Sequence, residues 1–160
     1  VMAIRDRYKS MEKSLQMEQA LDRADVIGFP DICLPGLDGL RVCLSSLKGK
    51  TIILSFWHAA NVNMRLDNRE LMEIYQTYSP LGLEVFQVAL DTDKTAWASA
   101  VREQSLPWIS VCDGLGVNSP ALATYNIAEI PAYFIINSNE EIIARSGNVD
   151  EVIRKVRNLF

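Results

Sequence analysis

Three cysteines and a single histidine are the residues of this chain whose types best suit covalent or metal chemistry, and their spacing limits what they can do. Cys33, Cys43 and Cys112 are too few and too scattered for a disulfide framework or a zinc cluster, and His58 has no clustered partner to complete one. No metal ligand set and no cofactor are therefore expected. Cys33 and Cys43 flank Pro35-Gly36-Leu37-Asp38-Gly39, in which the Asp-Gly pair reads as a hairpin turn. If Ile32, Leu34, Val42 and Leu44 face inward, the period-two alternation of strands turns both cysteines to the other face, where they could be cross-strand neighbours. A register slip of one residue would separate them again. Two separate thiols acting as small hydrophobes is the expected state, with a bond as the alternative. Cys112 ends a strand ahead of Asp113-Gly114 and reads as a structural thiol.

The elements that must position these residues follow from periodicity. Between Ala3 and Ala24 no Gly or Pro intervenes, and Ile4, Tyr8, Met11, Leu15 and Leu21 recur at helical spacing, so residues 1–27 read as an amphipathic helix or connector. Thr51 to Trp57 is an apolar run suited to a strand covered on both faces. Arg65 to Tyr78 places Leu66, Leu71, Met72, Ile74 and Tyr75 on one helical stripe, ended by Ser79-Pro80. Leu83 to Leu90 is the next strand, and Asp91-Thr92-Asp93 offers caps for a helix through Trp97, Ala100 and Val101. Trp108 to Cys112, a short helix from Pro120, a hairpin of 132–137 with 141–145, and a helix of 149–159 complete the chain. Glu140-Glu141 reads as a solvated turn. Strands alternating with helices predict an α/β domain over 28–160, with a mixed central sheet and helices on both faces.

Sixteen basic and twenty acidic residues leave a net charge of -4, with no basic stripe carrying aromatics, so nucleic acid is an unsuited partner. No segment approaches the roughly 20 apolar residues of a membrane-spanning helix. Val1 begins the chain ahead of charged residues without the apolar run of a secretory signal, and the expectation is a piece of a longer protein.

Leu37-Asp38-Gly39, Leu47-Lys48-Gly49-Lys50, Leu54-Ser55-Phe56-Trp57, Leu106-Pro107-Trp108 and Ile130-Pro131-Ala132-Tyr133-Phe134 occur in an order that resembles the thioredoxin-like family of TlpA and ResA type, related to the AhpC/TSA group. The resemblance implies a thioredoxin-like fold with an extra N-terminal β-hairpin. It also implies a Cys-x-x-Cys pair in the loop after the Phe-Trp strand, where this chain has Asn61-Val62-Asn63-Met64. An amide and a thioether cannot form and resolve a mixed disulfide, so positions Asn61 and Met64 are expected to be degenerate. No peroxidatic loop is present between Trp57 and Arg65. Pro131 matches the family's cis-proline, which faces that loop and pairs with extended substrate peptides.

These readings define the expected site: a binding groove of Trp57, His58, Asn61, Val62, Asn63, Arg65, Ile130 and Pro131, with the helix terminus near Asn63 favouring anions or carbonyl oxygens and Asn61 or Asn63 acting as its cap. The function expected is a redox-inactive module of the bacterial cell envelope that binds a protein or extended peptide. One alternative is a thiol-disulfide oxidoreductase using Cys33, Cys43 or Cys112 at a relocated site; another is a structural domain of a longer envelope protein. The resemblance implies a periplasmic or envelope location, an upstream domain, and membrane attachment only through an anchor outside this chain.

Overall fold

The computed structural model describes residues 27–160; the helix expected over 1–27 lies outside the described residues. The first strands among the described residues form a two-stranded antiparallel hairpin, β1 (Cys33–Pro35) and β2 (Arg41–Cys43). The main sheet holds β3 (Thr51–Trp57), β4 (Leu83–Ala89), β5 (Ile109–Val111), β6 (Ala132–Ile136) and β7 (Ile142–Ser146), in the order β5-β4-β3-β6-β7. β4 runs parallel to β3 and β5, whereas β6 is antiparallel to β3 and β7. Four α-helices, α1 (Val62–Tyr78), α2 (Lys94–Gln104), α3 (Pro120–Thr124) and α4 (Val149–Leu159), connect or follow these strands.

β3 is central because six of its seven residues are buried. Its alternation divides the core: Ile53 and Trp57 join Leu71, Ile74, Trp97, Val101, Val152 and Val156 on the side of the long helices. Ile52, Leu54 and Phe56 meet Phe86, Tyr125 and Phe134 on the other. That second face also carries the hairpin and the short α3, through Ile32, Leu34, Leu44 and Ala121. The expected helices on both faces are thus present but unequal, with the N-terminal hairpin filling the space left beside α3.

Local chemistry explains the helix boundaries. Asp93 Oδ1 accepts from Thr95 N and Ala96 N to start α2, and Ser105 ends it in the left-handed region at φ 51°. Asn148 caps α4, whose Val149, Val152, Ile153 and Val156 form one buried stripe. The stripe expected on α1 is narrower: Leu71 and Ile74 are buried, but Leu66 is 47% exposed, and the polar Asn68 is buried instead. Glu140 is also not the free solvated residue expected. It is half-buried, and its Oε1 accepts from Gly28 N at 2.8 Å. A Cβ at Gly28 would collide with the Glu140 carbonyl, so only glycine permits this approach.

Candidate functional site

Two regions hold the residues singled out above. The first is the junction between β3 and α1. Phe56 is paired with Ala132 across β3 and β6, which sets Pro131 at the same end of the sheet as Trp57, and the Ile130-Pro131 bond is cis as expected. The intervening turn is held by a buried carboxylate: Asp91 Oδ1 accepts from Ala59 N at 2.8 Å and Oδ2 from Ala60 N at 3.2 Å. Asp91, expected among the caps of α2, therefore serves this turn, while Asp93 makes the cap. His58 lies half-buried at its rim, with Nδ1 3.6 Å from Asp91 Oδ2, and its N donates to Met64 Sδ at 3.4 Å.

Asn61 has the extended backbone of an N-cap, and its Oδ1 accepts from Met64 N at 3.1 Å. Of the two asparagines proposed as cap, Asn61 performs it; Asn63 and Val62 are exposed on the first turn. Trp57 is 1% exposed, so its side chain belongs to the core and shapes the site only by where its backbone lies. Arg65 reaches across to Glu103 of α2, 2.7 Å away. A groove between α1 and α2, lined by Val62, Arg65, Asn68, Arg69, Gln104 and Leu106, shares only Val62 and Arg65 with the expected site. The junction thus joins a helix end capped by Asn61, a cis-proline loop and a buried carboxylate, with no cysteine between Trp57 and Met64.

A buried polar chain that sequence reasoning missed fixes the start of α1. Trp108 Nε1 donates to Gln87 Oε1 at 2.9 Å, Gln87 Nε2 donates to Asn68 Oδ1 at 2.8 Å, and Asn68 Nδ2 donates to Gln104 Oε1 at 2.8 Å. Gln104 Nε2 then donates to the Arg65 carbonyl at 3.0 Å. Polar residues inside otherwise apolar runs, Gln87 in β4 above all, were the available signal. Tyr133 is 2% exposed, and its hydroxyl donates to Asp67 Oδ2 at 3.2 Å. Burial is the main cause that raises the Asp67 carboxyl above its ordinary value; the Tyr133 hydrogen bond partly opposes it, and the charge of Asp150 adds to it.

The second region is the hairpin. Leu44 N donates to the Ile32 carbonyl at 2.8 Å and Gly36 N to the Leu40 carbonyl at 2.8 Å. The intervening Cys33 and Cys43 are therefore a directly opposed pair without ladder bonds of their own, the arrangement that brings Cα atoms closest. Their Cα atoms are 4.0 Å apart and their sulfurs are bonded. The expectation of two separate thiols is overturned because the register aligns them on the outer face, with Ile32, Leu34 and Leu44 buried beneath. Both cysteines are half-buried, so the bond is reachable from solvent.

Asp31 lies beside this bond. Its Oδ1 accepts from Ile32 N and Ser45 N, both at 2.9 Å, and its Oδ2 accepts from Ser45 Oγ at 2.7 Å. Oδ2 is 3.6 Å from Cys33 Sγ, a contact that becomes a hydrogen bond only when the bond is reduced and the sulfur carries a proton. The ligand atoms of Asp31, Cys33 and Cys43 all lie within 4.8 Å of one another, although in the bonded state the two sulfurs offer no thiolate. Cys112 lies between the two regions and is fully buried, its N donating to the Pro35 carbonyl of β1 at 3.0 Å. Its Sγ donates to the Asp91 carbonyl at 3.5 Å, and burial above all pushes its thiol up, which removes it as a ready nucleophile.

Residues 28–145 match the AhpC/TSA family. The chain belongs to that family, in its TlpA/ResA-type thioredoxin-like branch. The thiol-disulfide oxidoreductase ResA of Bacillus cereus is 25% identical over 118 residues, which are 72% of this chain and 65% of that protein. The chain thus spans about 65% of the length of that curated relative. A thiol-disulfide oxidoreductase from Bacteroides fragilis superposes with a TM-score of 0.75 at 25% identity, covering 82% of this chain and 98% of that one. A thioredoxin-like protein from Bacteroides vulgatus superposes with a TM-score of 0.72 at 32% identity, covering 82% of this chain and 86% of that one. The likeness is therefore to thiol-disulfide oxidoreductases, and this chain carries its cysteine pair in the hairpin.

Proposed function

We propose that this domain takes part in thiol-disulfide exchange through the Cys33–Cys43 pair, with a protein or extended peptide as its partner. The observation that carries the reading is the formed, solvent-reachable disulfide on the hairpin of a domain whose relatives include thiol-disulfide oxidoreductases. In the exchange a partner thiolate attacks one sulfur of the pair, a mixed disulfide forms, and the other cysteine leaves as a thiolate that takes a proton from water. A second partner thiol then attacks the mixed disulfide. The partner is left oxidised, and the pair holds the two electrons and two protons as Cys33 and Cys43 thiols.

An oxidising compartment such as the bacterial cell envelope suits the reading, since a bonded pair persists there. The cis Pro131 loop beside the start of α1 supports partner binding by strand-like pairing. A second reading has its own observation: at the start of α1 the Met64 N donates to Asn61 Oδ1, and no thiol lies between Trp57 and Met64. On that reading the hairpin disulfide only staples the fold and the domain is a redox-inactive binding module.

Insulin reduction by dithiothreitol separates the two. Exchange through the hairpin gives at least a tenfold rate enhancement that Cys33→Ser and Cys43→Ser both abolish. A wild-type protein no faster than dithiothreitol alone leaves the binding module standing and overturns the exchange.

A further inference from the structure

We propose that reduction of the Cys33–Cys43 bond turns the outer face of the hairpin into a binding site for a thiophilic divalent cation of the zinc type, with Cys33 Sγ, Cys43 Sγ and Asp31 Oδ2 as ligands. The site rests on the pair being reducible, and it does not need the pair to turn over catalytically.

The geometry is already close to what the metal requires. A tetrahedral zinc with Zn–S near 2.3 Å and Zn–O near 2.0 Å holds sulfur and oxygen about 3.5 Å apart and the two sulfurs about 3.8 Å apart. Asp31 Oδ2 is 3.6 Å from Cys33 Sγ, and the three ligand atoms lie within 4.8 Å of one another. Opening the S–S bond on directly opposed strand positions lets the sulfurs part while the Cα atoms stay in register. The carboxylate is held in advance. Its Oδ1 is fixed by the Ile32 and Ser45 backbone N–H groups, and the Ser45 hydroxyl sits on Oδ2, the kind of outer contacts that orient metal ligands.

Charge favours the same outcome. Two thiolates and a carboxylate on one half-buried face repel one another, and a divalent cation between them offsets most of that charge. Soft sulfur ligands select zinc-like cations over magnesium or calcium. Three protein ligands leave the fourth position to water, so the site is open rather than closed. The balance is complete: a dithiol donor gives two electrons and two protons to the bond and becomes a disulfide. On metal binding both cysteine protons pass to solvent.

The experiment uses the full chain and zinc or cobalt alone. The protein is reduced with a phosphine, which with water becomes the phosphine oxide and leaves two thiols, and thiols are counted under denaturing conditions: three when reduced, one when oxidised. The reduced protein is expected to bind one equivalent of Zn2+ by calorimetry and to give the thiolate-to-cobalt absorption of a tetrahedral site. The oxidised protein is expected to give neither. Cys33→Ser and Cys43→Ser should lose the site, Asp31→Asn should weaken it at least tenfold, and Cys112→Ser should keep it. Asn at position 31 retains an oxygen for the backbone N–H groups, and near-ultraviolet circular dichroism verifies that each variant is folded. Three titrated thiols without stoichiometric metal, or binding that survives Cys43→Ser, overturns the site. Insulin reduction is scored separately, so loss of exchange with retained metal binding rejects the catalytic reading alone.

Discussion

The start of α1 and the N-terminal hairpin divide between them what a thiol-disulfide site normally combines. The helix end supplies orienting hydrogen bonds and the positive end of a helix dipole, which lower a thiol's pKa and speed its attack, but it has Asn61 and Met64 where thiols would be useful. The hairpin supplies two sulfurs in bonding contact, with a carboxylate beside them, and Cys43 leads only into the four-residue 3-10 turn of Leu44–Leu47 and not into an α-helix. Reactivity and thiols are thus housed apart, and the comparison teaches that a fold can keep the activating frame while the sulfur chemistry sits on another element.

The strongest way to break this contrast is to reunite the two halves. Replacing Asn61→Cys together with Met64→Cys places a pair at the helix terminus, and insulin reduction should rise at least a hundredfold over the unaltered chain. No gain would mean that the frame, and not only the pair, has been lost.

The two regions also differ in how they are anchored, and denaturation can sharpen that. The start of α1 hangs on the polar chain through Gln87, so Gln87→Leu should cost about 3 kcal/mol by orphaning the Trp108 N–H and the Asn68 carbonyl oxygen. The hairpin is closed by a bond across ten positions, and replacing both Cys33 and Cys43 by Ser should cost about 2–3 kcal/mol through loop entropy. Reductant added to the unaltered chain should lower the unfolding midpoint by a similar amount, and should leave the double variant unmoved.

The smallest effect is electrostatic and belongs to α1. Because burial raises the folded-state pKa of Asp67 above the unfolded value of 3.8, folding favours its protonated form. The stability that protonation contributes is fully present below 3.8 and is lost as pH rises through the folded pKa. Asp67→Asn removes this loss, so its melting temperature relative to the unaltered chain should increase from pH 3 to pH 7. The gain will be small, since much of the carboxyl is screened by solvent. A difference that shrinks with rising pH would contradict the desolvation argument.

Much of the fold was legible because it depends on local signals. The apolar run of β3 and Asp93 among the caps offered to α2 each announce their element within a few residues. The absence of a thiol pair between Trp57 and Met64 was equally plain, and cis Pro131 followed from resemblance. What escaped depends on partners far along the chain. Gln87 meets Asn68 and Trp108 across 19 and 21 positions, and Glu140 reaches Gly28 across 112. Asp91 looked like one of three capping residues until its carboxylate was found under the turn of His58 to Asn61.

The amino-acid order alone determined that Cys33 and Cys43 flank a tight turn and alternate away from apolar neighbours, and that no cysteine stands at the start of α1. Only the tertiary structure decided that the two sulfurs are joined and that Asp31 lies against them. The reason is that strand alternation is a property of one segment, whereas register and the approach of a third side chain are settled by how the hairpin packs on the sheet, where a shift of one residue would have undone both.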